Sequence, residues 1–277
     1  MAQGGEIGFT AKDFQQVREM LYQRVGIALN DTKRHMAYSR LAKRVRQKGM
    51  QSFGEYLALL RASPQAEEWQ AFINALTTNL TFFFREPHHF ELLRAHALDS
   101  RRAGQRLRIW SAAASTGEEP YSIAMTMLQA AADRNGGFEL MASDIDTNVL
   151  QHALTGVYAA DRAAKLEPAL VRRFFERGIG SNEGKVRLKK SVREAVTFFQ
   201  MNLVASQWPD LGLFDVIFCR NVLIYFDKPT QAGILERMAR CLKPDGLLFL
   251  GHSENILHLS EAFVPNGKTS YRLAQSY

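Results

Sequence analysis

From residue 108 onward, short apolar runs alternate with helical patterns, and that alternation limits the possible folds more than any other feature of the chain. Strands are predicted over 108–112, 138–143, 196–201, 214–219 and 247–250, with helices over 117–133, 146–154 and 229–242. Such alternation favours a parallel, doubly wound sheet. Residues 263–273 break the rhythm, because Asn266-Gly267 between extended stretches is a hairpin signal. The glycine-rich stretch 176–195 fits neither pattern. Its charged-apolar alternation from Lys185 to Lys189 predicts a small inserted antiparallel β-subdomain.

The first 78 residues read as a separate all-helical unit. Thr10 and Asp13 resemble a capping box, followed by Phe14, Val17, Leu21 and Val25 at helical spacing, with Gly26 as a stop. Asp31 is expected to cap a second helix ending at Gly49, with Tyr38, Leu41 and Val45 as its buried stripe. Ser52 and Glu55 open a third helix. Ser63-Pro64 starts a fourth carrying Trp69, Phe72, Ile73, Leu76 and Leu80. The domain reading is therefore 1–78 helical, 79–277 α/β, with 176–195 inserted in the latter.

A hydrophobic content of 46% is enough for a buried core. Cys219 and Cys241 have no metal-type spacing and read as reduced thiols. The N-terminus lacks the basic and apolar regions of a signal peptide, and no apolar run approaches a membrane span, so a cytoplasmic protein is expected. The formal charge of +7 favours an anionic partner. Much of it is local: seven Lys or Arg and no acid lie between Lys33 and Lys48.

The run IWSAAASTGEEP at 109–120 leads from a strand through small residues into a helix. In open α/β sheets the ligand crevice lies at this turn, at the carboxyl ends of the strands. Gly117 is the only glycine, so this is no phosphate-cradling GxGxxG loop. Glu118 and Glu119 would repel a pyrophosphate but suit a cationic ligand such as S-adenosylmethionine. The alternative is that they only complement the helix dipole. Asp144, after the second strand, is placed to accept from ribose hydroxyls, while Asp146 suits an N-cap. Polar residues Arg220 and Asn221 end the strand 214–219, and Tyr225 follows, either functional or a half-buried aromatic. No proline accompanies Asn221, unlike the Asn/Asp-Pro-Pro-aromatic turn common in base-amine methyltransferases.

Five ordered segments then carry a resemblance: NALTTNLTFFFRE at 74–86, the run 110–122, ASDID at 142–146, FCRNVLIYFD at 218–227 and LKPDGLLFLGHSEN at 242–255. Together they are similar to the chemotaxis receptor methyltransferases, the CheR family, over nearly the whole chain. The resemblance implies a class I methyltransferase fold, Rossmann-like, with a mostly parallel seven-stranded sheet, a C-terminal antiparallel hairpin, a small helical N-terminal domain and the inserted subdomain. It implies transfer of methyl from S-adenosylmethionine to receptor glutamates, leaving S-adenosylhomocysteine. Carried over by position, its cofactor contacts fall on Asn79, Thr81, Arg85, Glu119, Asp144, Asn202, Leu203, Arg220 and Asn221. Arg85 and Tyr225 match residues placed near the transferred methyl.

Receptor docking is expected from the basic helix (Lys33, Arg34, Arg40, Lys43, Arg44, Arg46) and from Arg177 and Arg187 of the insertion. Receptor methylation helices are acidic, and some family members also tether to an acidic-aromatic peptide at the receptor C-terminus. The bland alternative for the basic helix is a solvated face. A nucleic-acid methyltransferase needs aromatic residues interleaved with the charge, and only Tyr38 qualifies. A non-enzymatic receptor-docking adaptor is the third reading. His88, His89 and His252 lack metal partners at ligand spacing, so no metal is expected.

Overall fold

The structure, a computed structural model, describes residues 7–65, 67–102, 106–131 and 137–274. The chain divides into two compact units, Met1–Thr78 with Tyr225–Asp227, and Asn79–Ile224 with Lys228–Tyr277.

The first unit holds four helices: α1 (Ala11–Val25), α2 (Arg34–Gln47), α3 (Phe53–Ala62) and α4 (Glu67–Leu76). The Thr10 hydroxyl accepts from the Asp13 amide, and Asp13 accepts from the Thr10 amide, satisfying two donors that a helix start leaves open. Gly26 ends α1 at φ 70°, a left-handed conformation that its missing Cβ permits. At α2 the expected cap shifts. Asp31 opens a 3-10 turn, Asp31–Lys33, and its carboxylate takes the Arg18 guanidinium at 2.8 Å. The buried stripe is Ala37, Leu41, Ala42 and Val45, with Tyr38 only half-buried. Helix α4 stops at Leu76, so Leu80 leaves the apolar stripe and is 73% exposed. Buried Glu68 gathers Arg44, Lys48 and the Tyr56 hydroxyl, tying α2, α3 and α4 together. The returning segment joins this unit: the Ala28 amide donates to the Tyr225 carbonyl at 2.9 Å, and the Tyr22 hydroxyl to Asp227 at 2.6 Å.

The second unit begins with α5 (His88–Arg102) and continues β1 (Leu107–Ser111), α6 (Glu118–Ala131), β2 (Phe138–Asp144) and α7 (Thr147–Thr155). A small excursion follows: β3 (Val157–Ala159), α8 (Ala160–Ala164), α9 (Pro168–Phe174), β4 (Phe175–Arg177), β5 (Lys185–Leu188) and α10 (Lys190–Arg193). The chain then returns through β6 (Val196–Gln200), β7 (Phe214–Cys219), α11 (Lys228–Cys241), β8 (Leu242–Leu250), β9 (Phe263–Pro265) and β10 (Ser270–Leu273).

The seven-stranded sheet runs β6-β2-β1-β7-β8-β10-β9; β10 alone is reversed, pairing antiparallel with both β8 and β9. This is the class I methyltransferase arrangement anticipated above. Strand β1 has β2 on one side and β7 on the other, so the order reverses beside it, where doubly wound sheets open their ligand crevice. The pattern of β7, buried at every position and apolar except for Asp215, suits a strand covered on both faces. The excursion is a three-stranded antiparallel sheet, β3-β5-β4, and extends beyond the anticipated hairpin. It recruits Val157–Ala159, and β5 lies in the middle. Lys185 and Arg187 therefore sit on the central strand, while β4 with Arg177 forms an edge.

Gly117 stands at the turn from β1 into α6 with φ 97°, and an added Cβ would lie 2.8 Å from Ala153 Cβ and 2.9 Å from the Tyr158 hydroxyl. That hydroxyl donates to the Thr116 carbonyl, leaving it little freedom to retreat. Gly117→Ala is expected to destabilise the second unit by about 1–3 kcal/mol through strain and overpacking. A denaturant titration checks it; an unchanged midpoint would mean the turn is looser than described.

Candidate active site

The β1–α6 connection forms one ledge. The Ala112 amide donates to Phe218 of β7, and the Ala114 amide to Ser143 of β2, so the small-residue turn is stitched to both neighbours. Ser115, at φ 48°, turns its amide onto Asp144 Oδ2 at 2.8 Å, while the Asp146 amide donates to Oδ1 at 3.0 Å. Burial lifts the Asp144 carboxyl to about 6 even with these donors. Asp146 caps α7 through the amides of Asn148 and Val149, the role expected for it, and also accepts from the Asn79 side chain at 2.9 Å.

The two glutamates opening α6 are both buried and have separate partners. Glu118 accepts from Thr116 at 2.6 Å and pairs with Arg162 of α8, whose guanidinium also donates to the Thr81 carbonyl. Glu119 accepts from the Ser111 hydroxyl at 2.8 Å and from Arg220 at 3.1 Å. Burial pushes the Glu119 carboxyl upward, against the pull of Arg220.

Arg220 is the hub at the end of β7. Its fully buried side chain reaches Glu119, the Arg85 carbonyl and, at 3.4 Å, Glu86. Burial works against an ionised Glu86, yet the His252 ring and amide and the Arg220 charge hold it down at about 2. Arg85 Nη1 donates to the Leu80 carbonyl at 3.0 Å, with the guanidinium carbon 5.8 Å from the Phe82 ring centroid. Asn221 has φ 58°, and its amide donates to buried Glu254. Asn202 follows β6 and accepts from the Val204 amide, while buried Leu203 offers its carbonyl to Trp208 and Arg237.

Asn79 and Asp144 thus share the contacts of Ser115 and Asp146, Thr81 meets Arg162 and Glu118, and Arg85, Glu119 and Asn221 gather with Glu86 around Arg220, three groups joined by the chain from Ser115 to Glu119. Asn202 and Leu203 stand beside it, after a strand whose end is bonded to the Asp144 carbonyl through the Met201 amide. Tyr225 ends the turn Leu223–Tyr225 and groups with the helical unit. Sequence reasoning assigned no role to Glu86, Arg162 or Glu254. Glu86 and Glu254 lie in the quoted segments, and Glu254 follows a sheet strand at its carboxyl end, which was the available signal.

Of the basic helix, Lys33, Arg34, Lys43 and Arg46 are exposed, although Arg34 donates to the Phe9 carbonyl. Arg40 is spent on the carbonyls of Ala75 and Thr77, and Arg44 on Glu68. Arg177 and Arg187 are exposed on the small sheet. Glu86, His88 and His89 bring donor atoms within 4.8 Å of one another, a closeness that their spacing did not suggest. The Arg220 guanidinium already stands against Glu86, and a divalent ion there would meet its charge.

Buried carboxylates on the ledge and the lack of a glycine cradle fit a donor bearing sulfonium, ammonium and a ribose diol better than a dinucleotide. The comparisons agree. Residues 79–272 match the family description "CheR methyltransferase, SAM binding domain", and residues 12–77 match "CheR methyltransferase, all-alpha domain". The chain belongs to the CheR methyltransferase family. It is 52% identical to the chemotaxis protein methyltransferase of Escherichia coli K12 over 95% of this chain and 91% of that protein. It is 50% identical to chemotaxis protein methyltransferase 2 of Pseudomonas aeruginosa PAO1, over 96% and 94%. As a CheR protein it is an S-adenosylmethionine-dependent methyltransferase. No helix among the described residues is long and apolar enough to cross a membrane.

Proposed function

We propose that this CheR protein methylates glutamate side chains on the cytoplasmic helices of chemoreceptors, forming methyl esters. The observation that carries the reading is the ledge on which buried Glu119, held by Ser111, and half-buried Asp144, held by the Ser115 amide, offer carboxylates to a cationic donor. When bound, S-adenosylmethionine supplies an electrophilic methyl on a positively charged sulfur. Asp144 accepts from the ribose hydroxyls; Asn79, Thr81, Asn202 and Leu203 complete that end. Glu119, Arg220 and Asn221 hold the amino-acid end. Arg85 and Tyr225 orient the receptor carboxylate. A glutamate ionises near pH 4.3 and is already a nucleophile at neutral pH, so no general base is required. Catalysis becomes positioning and exclusion of water.

Exposed Lys33, Arg34, Lys43 and Arg46 meet the acidic receptor helices, with Arg40 and Arg44 bracing the helix that carries them. Arg177 and Arg187 suit an acidic-aromatic receptor peptide lying along the small sheet. The test offers a methyl-labelled donor, a receptor cytoplasmic fragment and RNA to the purified protein. Alkali-labile label on the fragment alone is expected. Label on RNA, or donor binding without transfer to either, would overturn the proposal in favour of a nucleic-acid enzyme or an adaptor.

Asp144 gives a pH signature. Its ionised form accepts from ribose, so donor affinity should fall below its value of about 6, by up to about tenfold per pH unit. The free protein behaves oppositely. A carboxyl whose value is raised by folding binds its proton more tightly in the native state, so it adds stability as the pH falls through about 6. Calorimetry with S-adenosylhomocysteine from about pH 7.5 to about pH 5 measures the first effect. A flat profile would remove Asp144 from the ribose role.

A further inference from the structure

We propose that Glu254 is a positioning residue for methyl transfer, acting through the backbone of Asn221, Val222 and Leu223; this rests on the methyltransferase reading above. Glu254 lies in the loop after β8, and the segment it holds follows β7, so the contact joins the carboxyl ends of two adjacent parallel strands. Its carboxylate accepts four backbone amides. Oε2 takes Gly251 at 2.6 Å and Asn221 at 2.8 Å; Oε1 takes Val222 and Leu223, each at 2.8 Å.

Three successive amides converging on one point form an anion-binding nest, and here the protein fills it with its own buried side chain. The arrangement requires Asn221 at φ 58°, a left-handed conformation that costs a non-glycine residue and persists only when its surroundings impose it. Space beside Asn221 is closed as well. A Cβ on Gly251 would lie 2.2 Å from Asn221 Nδ2 and 2.9 Å from its backbone nitrogen.

Asn221 and Val222 lie directly between Arg220 and the turn Leu223–Tyr225, and Leu223 opens that turn. The same loop acts on Arg220 a second way, since the His252 amide and ring engage Glu86, which faces the guanidinium. Glu254 therefore fixes the direction in which the chain leaves β7, while touching the reaction only through Asn221 and its neighbours.

Glu254→Gln keeps the shape but replaces one acceptor oxygen with an NH2 that faces amide donors. The full-length variant is expected to lose kcat on the order of 10- to 100-fold, with KM for the receptor fragment changed less than about threefold. Its crystal structure should show Asn221 leaving positive φ. Gly251→Ala, which retains Glu254 and crowds Asn221 directly, should give the same kcat-weighted loss and decides the matter if the first variant does not fold. Normal kcat with only a lower melting temperature, or a loss confined to KM, overturns the proposal. If wild-type protein binds S-adenosylhomocysteine but methylates no receptor, the functional reading fails, and an Asn221 that keeps positive φ in Glu254→Gln still sinks this one.

Discussion

Replacing Arg220 with methionine is expected to cost about 3–5 kcal/mol of folding stability near neutral pH. The guanidinium is wholly buried between Glu119 and Glu86, and methionine fills similar space without charge or donors. Removing one partner of a buried ion cluster leaves the others without compensation, which costs more than the cluster itself contributes. The loss has a ceiling, because Glu119 can take up a proton. Its carboxyl is already shifted upward by burial, and without Arg220 the shift grows. The gap between wild type and variant should therefore narrow as the pH is lowered from neutrality. Glu86 behaves otherwise. Held at about 2 in the native protein, it contributes stability that is present above its ordinary range and is lost as the pH falls through about 2. Denaturant titrations at several pH values test both statements. Equal stability of the two proteins at neutral pH would mean that Arg220 does not bind the carboxylates as described.

Arg85→Ala should reduce kcat about 100-fold. The side chain is anchored by the Leu80 carbonyl and the Phe82 ring, and no carboxylate among the described residues pairs with it. Its charge thus remains available to an incoming acid. A tight bidentate grip on the receptor carboxylate would stabilise the ground state and slow attack, so the useful role is aiming. Arg85→Lys separates charge from geometry: it retains the former and loses the planar fork, and should recover only part of the rate. Tyr225→Phe removes the hydroxyl proposed to aim the receptor carboxylate and is expected to cost about tenfold in kcat. Rates from receptor methylation under saturating donor decide the point. If Arg85→Ala and Tyr225→Phe both turn over normally, neither residue carries the assigned role.

Local chemistry was the legible part of the chain. Thr10, Gly26 and Ser52 act within a few residues of themselves, and each occupies the cap that its type and spacing indicated. The strand-helix alternation likewise exposed the parallel sheet, because buried parallel strands are nearly continuous apolar runs. Failures came where distant residues decide. Leu80 extended a helical period past the point where α4 ends. Strand β3 is only three residues long and exists by pairing with β5, some thirty positions later, which no local pattern records. The basic helix read as one cluster, yet helical geometry turns Arg40 and Arg44 inward to carbonyls and Glu68. Donor-site candidates near the strand ends stood out because small and acidic residues are unusual there. Glu254 did not, since a carboxylate bound to four backbone amides has no side-chain partner to betray it.

The placement of β10 between β8 and β9 bears on biosynthesis. Among the described residues the last strand is an interior one, so during synthesis β8 keeps an open flank until Ser270–Leu273 pairs with it. Deletion of the four residues Ser270–Leu273 would leave chains with an adhesive, apolar margin, and inclusion bodies rather than a slightly weakened enzyme are the outcome to anticipate.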